Sequence, residues 1–250
     1  MVNIIVLCKI VPDDQDIQVA ENRTLDYSKA KGVVSTYDLN AIEVAAQLAA
    51  SSEGSTVTAV AAGPASIEDS KLKKNILARG VDELVMCADD ALSDLDAHAT
   101  AEVLSTLVGE YDLIVAGDGS ADNYAQQTDV QLAARLGVPS VNGVTKITPE
   151  EDSVLVERTL EDVIETVRVP LPAVVSVAPD AAIPRIPGMK DILAAGKKPM
   201  NMQGATGSYA RSTEVVSTLA PEQASRKLVV LDASADGAVE EFAAALKAAL

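Results

Sequence analysis

A chain of 250 residues with 48% hydrophobic and 23% charged side chains is long enough for one large α/β domain, and global disorder is excluded. Its 37 Asp and Glu against 20 Lys and Arg give a formal net charge of −17. That balance excludes non-specific nucleic-acid binding, which needs cations to neutralise phosphates, and reads as a solubility adaptation.

No run approaches the roughly 20 apolar residues of a membrane-spanning helix. Residues 1–14 have no basic stretch ahead of their apolar run and turn acidic at once, so they do not read as a secretory signal. A cytoplasmic location is expected. With one His, two Cys and no Trp, a His-rich metal site is excluded and Ser-His-Asp chemistry would rest on His98 alone. His98 reads as structural. Cys8 and Cys87 each end an apolar run and read as small buried strand residues, not as a redox pair. No catalytic residue and no metal ligand set is expected, so a cofactor must carry any chemistry.

In chain order, residues 4–8, 57–61, 84–87 and 113–116 are strand-length apolar runs, as parallel strands covered on both faces require. Between them lie amphipathic stretches. Leu39, Ile42, Ala45, Ala46 and Ala49 share one helical face, with Glu43 and Gln47 elsewhere. Ile67, Leu72, Ile76 and Leu77 form a second face, and Val103, Leu104, Leu107 and Val108 a third. Ser35 with Asp38, Ser66 with Asp69 and Ser93 with Asp96 have capping-box spacing and predict helix starts. Repeated βα units predict a doubly wound, mostly parallel, Rossmann-like sheet.

After Val141 the pattern changes. Asn142-Gly143 punctuates, and residues 153–158 and 164–169 alternate as a hairpin about Glu161-Asp162. Residues 173–178 predict a further buried strand. Pro179, Pro184, Pro187 and Gly188 break regular structure before a short helix over 189–195. Residues 201–226 read as a polar loop, 227–231 as a strand and 239–250 as an Ala-rich helix. The expected organisation is an α/β nucleotide-binding domain over 1–200, with a C-terminal arm over 201–250.

Ligands of open parallel sheets bind beyond the carboxyl ends of the strands. There the chain carries Lys9, the pair Gly63-Pro64, and the stretch Gly117-Asp118-Gly119-Ser120-Ala121-Asp122-Asn123-Tyr124-Ala125-Gln126-Gln127-Thr128. A strand ending in glycines, with a helix expected to open near Asp122, suits either a phosphate or a plain βα turn. Asp122 occupies the third position of G-x-G-x-x-G, and no Gly-Lys-Ser/Thr follows, so neither the dinucleotide fingerprint nor the P-loop is present. Asp118 and Asp122 oppose a bare phosphate unless they point away. Ser35, Thr36, Tyr37 and Asp38 open the first helix, where Ser35 reads as an N-cap and Tyr37 as a staple. Lys197-Lys198 reads as a solvated end.

Taken in order, several segments resemble the beta subunit of electron-transfer flavoproteins, in its FixA-type branch. They are Cys8-Lys9-Ile10-Val11-Pro12-Asp13, Tyr37-Asp38-Leu39-Asn40-Ala41-Ile42-Glu43, the Gly117 to Thr128 stretch, Val169-Pro170-Leu171-Pro172-Ala173, and Pro184-Arg185-Ile186-Pro187-Gly188-Met189-Lys190 with Lys197-Lys198-Pro199. The resemblance implies an electron-carrying subunit without substrate turnover of its own. It implies a heterodimer with an alpha subunit that holds the electron-transferring FAD, and the C-terminal arm docking on that subunit. An adenine nucleotide in this chain is implied as well: AMP in ordinary members, the ADP portion of a second FAD in bifurcating ones.

By position the implied pocket takes in Leu7, Lys9, Ser35, Thr36, Tyr37, Asp38, Ala62, Gly117, Asp118, Gly119, Ser120, Asp122, Asn123, Gln126, Gln127 and Thr128. Gly117 and Gly119 would permit close backbone approach, with amides near 123–127 facing the phosphates. A recognition loop near 184–198, with Met189, Lys190 and Ile192, is implied to dock a dehydrogenase or a quinone- or ferredoxin-linked redox partner. Asp118-Gly119 departs from the basic residue and Gln of many members, a change the FixA-type branch shares. The basic run at Lys197-Lys198 is shorter than in ordinary members, which leaves the partner open. A stand-alone adenine-nucleotide sensor remains the alternative, though it gives the Pro-rich loop and arm no purpose. An ATP-pyrophosphatase would need a Gly/Ser-rich loop where Lys9-Ile10-Val11-Pro12 stands.

Overall fold

The computed structural model describes residues 2–222 and 228–249. Its strands are β1 (Asn3–Leu7), β2 (Ile10–Pro12), β3 (Gln18–Val19), β4 (Leu25–Asp26), β5 (Gly32–Val34), β6 (Thr56–Gly63), β7 (Glu83–Ala88), β8 (Leu113–Gly117), β9 (Ser140–Pro149), β10 (Ser153–Thr159), β11 (Ile164–Pro170), β12 (Ala173–Val177) and β13 (Met200–Gln203). The α-helices are α1 (Thr36–Ser51), α2 (Ser70–Leu77), α3 (Ala97–Leu107), α4 (Thr128–Leu136), α5 (Met189–Ala195) and α6 (Ala238–Ala249).

A nine-stranded sheet runs β11-β10-β9-β12-β8-β1-β6-β7-β13. Every neighbouring pair from β9 to β13 in that order is parallel, while β10 and β11 add an antiparallel hairpin at one edge. The chain proceeds from β1 outward through β6 and β7, then returns to β8 on the other side and continues through β12. The switch point therefore lies between β1 and β8, and the crevice at their carboxyl ends is where such a sheet takes a ligand.

Both faces of the sheet are covered, so its strands are apolar throughout. Ile4 and Val6 of β1 join one core with Ile42 and Ala45 of α1 and Ile76 and Leu77 of α2. Ile5 and Leu7 turn to the opposite core, with Leu104 of α3 and Leu132 of α4. This alternation is the pleat of a strand sandwiched between helix layers. Cys8 and Cys87 are both buried and unbridged, as expected. Among the described residues no helix is long and apolar enough to cross a membrane.

The structure corrects several local expectations. Asp69 and Asp96, not Ser66 and Ser93, are the N-caps of α2 and α3: Asp69 accepts from the Lys71 and Leu72 amides, Asp96 from that of Ala99. Asp96 also accepts from the Ser212 and Thr213 amides, and these bonds hold its carboxyl down at about 2. Asn142-Gly143 is not a turn. It lies inside β9, where the register to β12 shifts and Gly143 takes a φ of 64°, a bulge that leaves the strand unbroken. The 201–226 loop begins as β13, which pairs with β7. Residues 228–231 form no strand, and Lys227, expected to start one, lies outside the described residues, as does Leu250.

Lys198 is not a solvated end. Its Nζ donates to the carbonyls of Leu77 (2.9 Å), the last residue of α2, and Val81 (2.6 Å), just past it. The described residues divide into two compact units, one comprising 1–18 and 26–217, the other 19–25 and 218–250. Within the second, Thr24 bridges Leu219, and the α6 residues Val239, Phe242 and Leu246 leave an exposed apolar stripe. Lys198→Met, which keeps the stem and loses both charged donors, is expected to lower stability by about 2 kcal/mol, read as a shifted urea midpoint with unchanged slope.

Candidate functional site

The crevice at the switch point is built from the end of β1, the first turn of α1 and the loop between β8 and α4. Asp38 lies in that first turn and is only 6% exposed. Its Oδ2 accepts the Lys9 amide at 2.7 Å, and its carboxylate also accepts the Gly117 amide, so one side chain joins α1 to the ends of β1 and β8. Burial pushes the Asp38 carboxyl up to about 7, with the two amides and the Lys9 charge opposing that rise. Burial, helped by the nearby Asp38, likewise raises the Cys8 thiol.

Ser35 does not cap α1 through its side chain. Its Oγ instead accepts the Ala121 amide at 3.2 Å, and its own amide donates to the Lys9 carbonyl at 2.9 Å, so it stitches the β8–α4 loop to the end of β1. The Tyr37 ring packs against Tyr124, with centroids 4.9 Å apart. Tyr124, which the sequence pattern did not single out, donates its hydroxyl to Asp118, and Gln126 donates to the other Asp118 oxygen at 2.9 Å. The bond to Asp118 lifts the Tyr124 phenol to about 12. Lys9 Nζ reaches Asp122 at 2.6 Å and Ser120 at 3.4 Å. Burial raises the Asp122 carboxyl, but the bonds from Lys9 and Ser120 prevail and hold it below the usual range. Both loop carboxylates are thus turned to partners within the site.

The glycines also serve the packing of the chain itself. A methyl on Gly117 would stand 2.6 Å from Asp38 Oδ1 and 2.8 Å from the Tyr37 carbonyl carbon. On Gly119 it would meet the Tyr124 ring at 2.3 Å. Both glycines are required by packing of the chain on itself. The helix expected near Asp122 opens at Thr128; residues 120–124 form a turn closed by the Tyr124 amide on the Ser120 carbonyl. Gln127 is the N-cap position of α4 and makes no side-chain cap bond.

Leu7 is buried at the end of β1, and Ala62 is half-buried near the end of β6. Lys9, Ser35, Tyr37, Asp38, Gly117, Asp118, Gly119, Ser120, Asp122, Asn123 and Gln126 are brought into one cluster of bonded and packed side chains, with Asn123 Oδ1 and the Asp122 carboxylate both within reach of the single Ser120 hydroxyl proton. Thr36, Gln127 and Thr128 stand at the two helix starts. Met189, Lys190 and Ile192 lie on α5, well exposed and outside that cluster. His98 is exposed and faces Arg135 at 3.1 Å. A groove of about 330 Å³ lined by Val44, Leu48, Ile147 and Val177 contains none of these groups.

Gly117→Ala is expected to cost about 1–3 kcal/mol, the usual range for an overpacked methyl, with the loss seen in chemical denaturation. Asp38 gives a pH signature. Folded, its carboxyl keeps a proton up to about pH 7; unfolded, it loses it near about 3.9. Between these values the native state holds more protons, so this group makes stability fall as pH rises from about 4 to about 7. Asp38→Asn removes that slope, and the stability difference moves in the variant's favour as pH rises through the window.

The electron transfer flavoprotein domain family matches residues 23–206, well over half of the chain and including α1, the β8–α4 loop and α5. Members of that family are electron carriers, associated with flavin or nucleotide binding and assembled with a partner subunit. With the parallel sheet, its switch-point crevice and this match in hand, the chain belongs to the electron transfer flavoprotein domain family.

Proposed function

We propose that this chain is the beta subunit of a heterodimeric, cytoplasmic electron-transfer flavoprotein of the FixA-type branch, holding an adenine nucleotide at the switch-point crevice. One observation carries the reading. α2 and α3 are capped by Asp69 and Asp96, whereas α1 and α4, which start at the crevice, have no side-chain cap bond. Helix N-termini leave their first amides without intrahelical partners and favour an anion. The site is therefore suited to a nucleotide phosphate, and its own carboxylates are already engaged by Lys9, Ser120, Tyr124 and Gln126.

In this reading Thr36, Thr128 and the amides of both first turns hold the phosphates. Ser35 and Asp38 hold the loop and strand ends in place, and Leu7, Tyr37 and Ala62 offer apolar surface to the adenosine. The flavin supplies the redox chemistry when bound, and the protein supplies orientation and electrostatics. Residues 1–200 form the nucleotide-binding domain, and the 201–250 arm docks on the alpha subunit; the apolar stripe of α6 supports the latter. Met189, Lys190 and Ile192 meet the dehydrogenase or other redox partner, supported by their exposure on a short helix.

The experiment is to co-express the chain with its alpha subunit, denature the purified complex and count released nucleotides. One adenine nucleotide beyond the alpha subunit's FAD is expected. If it is AMP the complex is a one-flavin relay; if it is a second FAD, the complex has the makeup for splitting electron pairs between two acceptors. A complex holding the alpha subunit's FAD alone contradicts the reading.

A further inference from the structure

Residues 179–188 lie outside any regular element, yet Ile183 and Ile186 stand 91% and 93% exposed, with Met189 following at 73%. A segment without a ladder keeps one conformation only if other groups take its backbone bonds. Those groups come mainly from α1. The buried Asn40 donates through Nδ2 to the carbonyls of Pro179 (2.8 Å) and Ala182 (2.7 Å). One turn along, the Glu43 carboxylate accepts from Arg185 three times: from its amide at 3.1 Å, Nε at 2.6 Å and Nη2 at 3.0 Å.

Arg79 donates to the Arg185 carbonyl, and Asp191 accepts the Gly188 amide at 2.9 Å. At Gly80, with a φ of 94°, a methyl would come within 2.8 Å of the Ala46 Cβ and 3.1 Å of Arg185 Nη1, so the glycine lets both α1 and the guanidinium pack closely there. Burial raises the Glu43 carboxyl, but the bonds from Arg185 and Gln47 outweigh it and keep it below the ordinary range. The sequence pattern had set Glu43 away from the buried face; it is buried because Arg185 comes to meet it.

Held and free residues alternate along the segment. Ala182 and Arg185 are tied down, and Ile183 and Ile186 beside them project outward. We propose that Asn40 and Glu43 are positioning residues for partner docking, which fix this segment so that Ile183 and Ile186 act with Met189 as preformed apolar anchors for an apolar cleft on the electron-donating flavoprotein. The proposal rests on the reading of this surface as the partner-recognition site. Lys190 and Asp191 are both exposed next to Met189, so the cleft it fits is apolar at its centre with a polar rim carrying charges of both signs. An anchor ordered before contact spares the complex the cost of ordering it.

The test uses the whole heterodimer and a flavin-dependent dehydrogenase that reduces it. Glu43→Ala and Asn40→Ala are expected to raise the dehydrogenase KM for the heterodimer about tenfold, a loss of about 1.4 kcal/mol in binding, with kcat at saturation and nucleotide content unchanged. Tryptic cleavage after Arg185 should speed up in both, with cleavage at other sites unaltered. Glu43→Gln, which keeps an acceptor for the Arg185 amide, should fall between wild type and Glu43→Ala, and it serves if the alanine variant does not fold. An unchanged KM overturns the proposal, whether or not cleavage changes. Met189→Ala separates the two readings: a KM unmoved there removes the docking surface itself, whereas a KM raised there but not by Glu43→Ala removes only the clamp.

Discussion

The carboxylate of Asp38 is the junction on which the rest of the crevice depends. It sits in the first turn of α1 and accepts amides from the ends of β1 and β8, the two strands between which the sheet reverses its order. Two N–H donors, from Lys9 just past β1 and from Gly117 at the end of β8, offset part of the cost of burying it, and the carboxyl meets the rest by keeping its proton up to about pH 7. Gly117 follows from the same contact, since the helix comes too close for any side chain at that position. From this junction α1 makes two sets of contacts. Its first turn supports the β8–α4 loop through Ser35 and Tyr37, and its next turns grip the 179–188 segment through Asn40 and Glu43.

For a strongly acidic protein, the proposed binding of an anionic nucleotide poses an electrostatic problem. Here the loop carboxylates are spent internally, Asp118 on Tyr124 and Gln126, Asp122 on Lys9 and Ser120. The starts of α1 and α4 carry no side-chain cap bond, so in the proposed site the backbone amides of those first turns, at the favourable end of each helix dipole, meet the anion. Anion recognition by amides needs neither a lysine-bearing P-loop nor a cluster of arginines. The same economy explains why a chain with so few cations can belong to a family associated with flavin or nucleotide binding.

The central strands were legible because burial on both faces leaves an unbroken apolar run, as at 4–8 and 113–116. β9 was not, because its bulge at Asn142-Gly143 uses the dipeptide that elsewhere makes a turn. β13 is an edge strand with exposed positions and polar residues, so composition reads it as loop. Capping failed as a signal at Ser66 and Ser93, where an Asp three residues later takes the role. At the site, spacing located the loop after β8 and the start of α1. It could not reveal that Asp38 turns inward, that Tyr124 closes on Gly119, or that Glu43 leaves its helix's polar face for Arg185. The first and last depend on partners 29 and 142 residues away, as the Lys9–Asp38 and Glu43–Arg185 bonds show, where helical periodicity carries no information, and the second depends on an irregular loop that has no period.

The central claim is that the nucleotide lies between α1 and α4 at the ends of β1 and β8. Photolabelling the purified heterodimer with 8-azido-AMP, followed by peptide mapping, tests it most directly. The account predicts label on peptides spanning 35–38 and 117–128 of this chain, displaced by excess AMP or FAD. Displaceable label confined to other peptides, on this chain or on the alpha subunit, would contradict it.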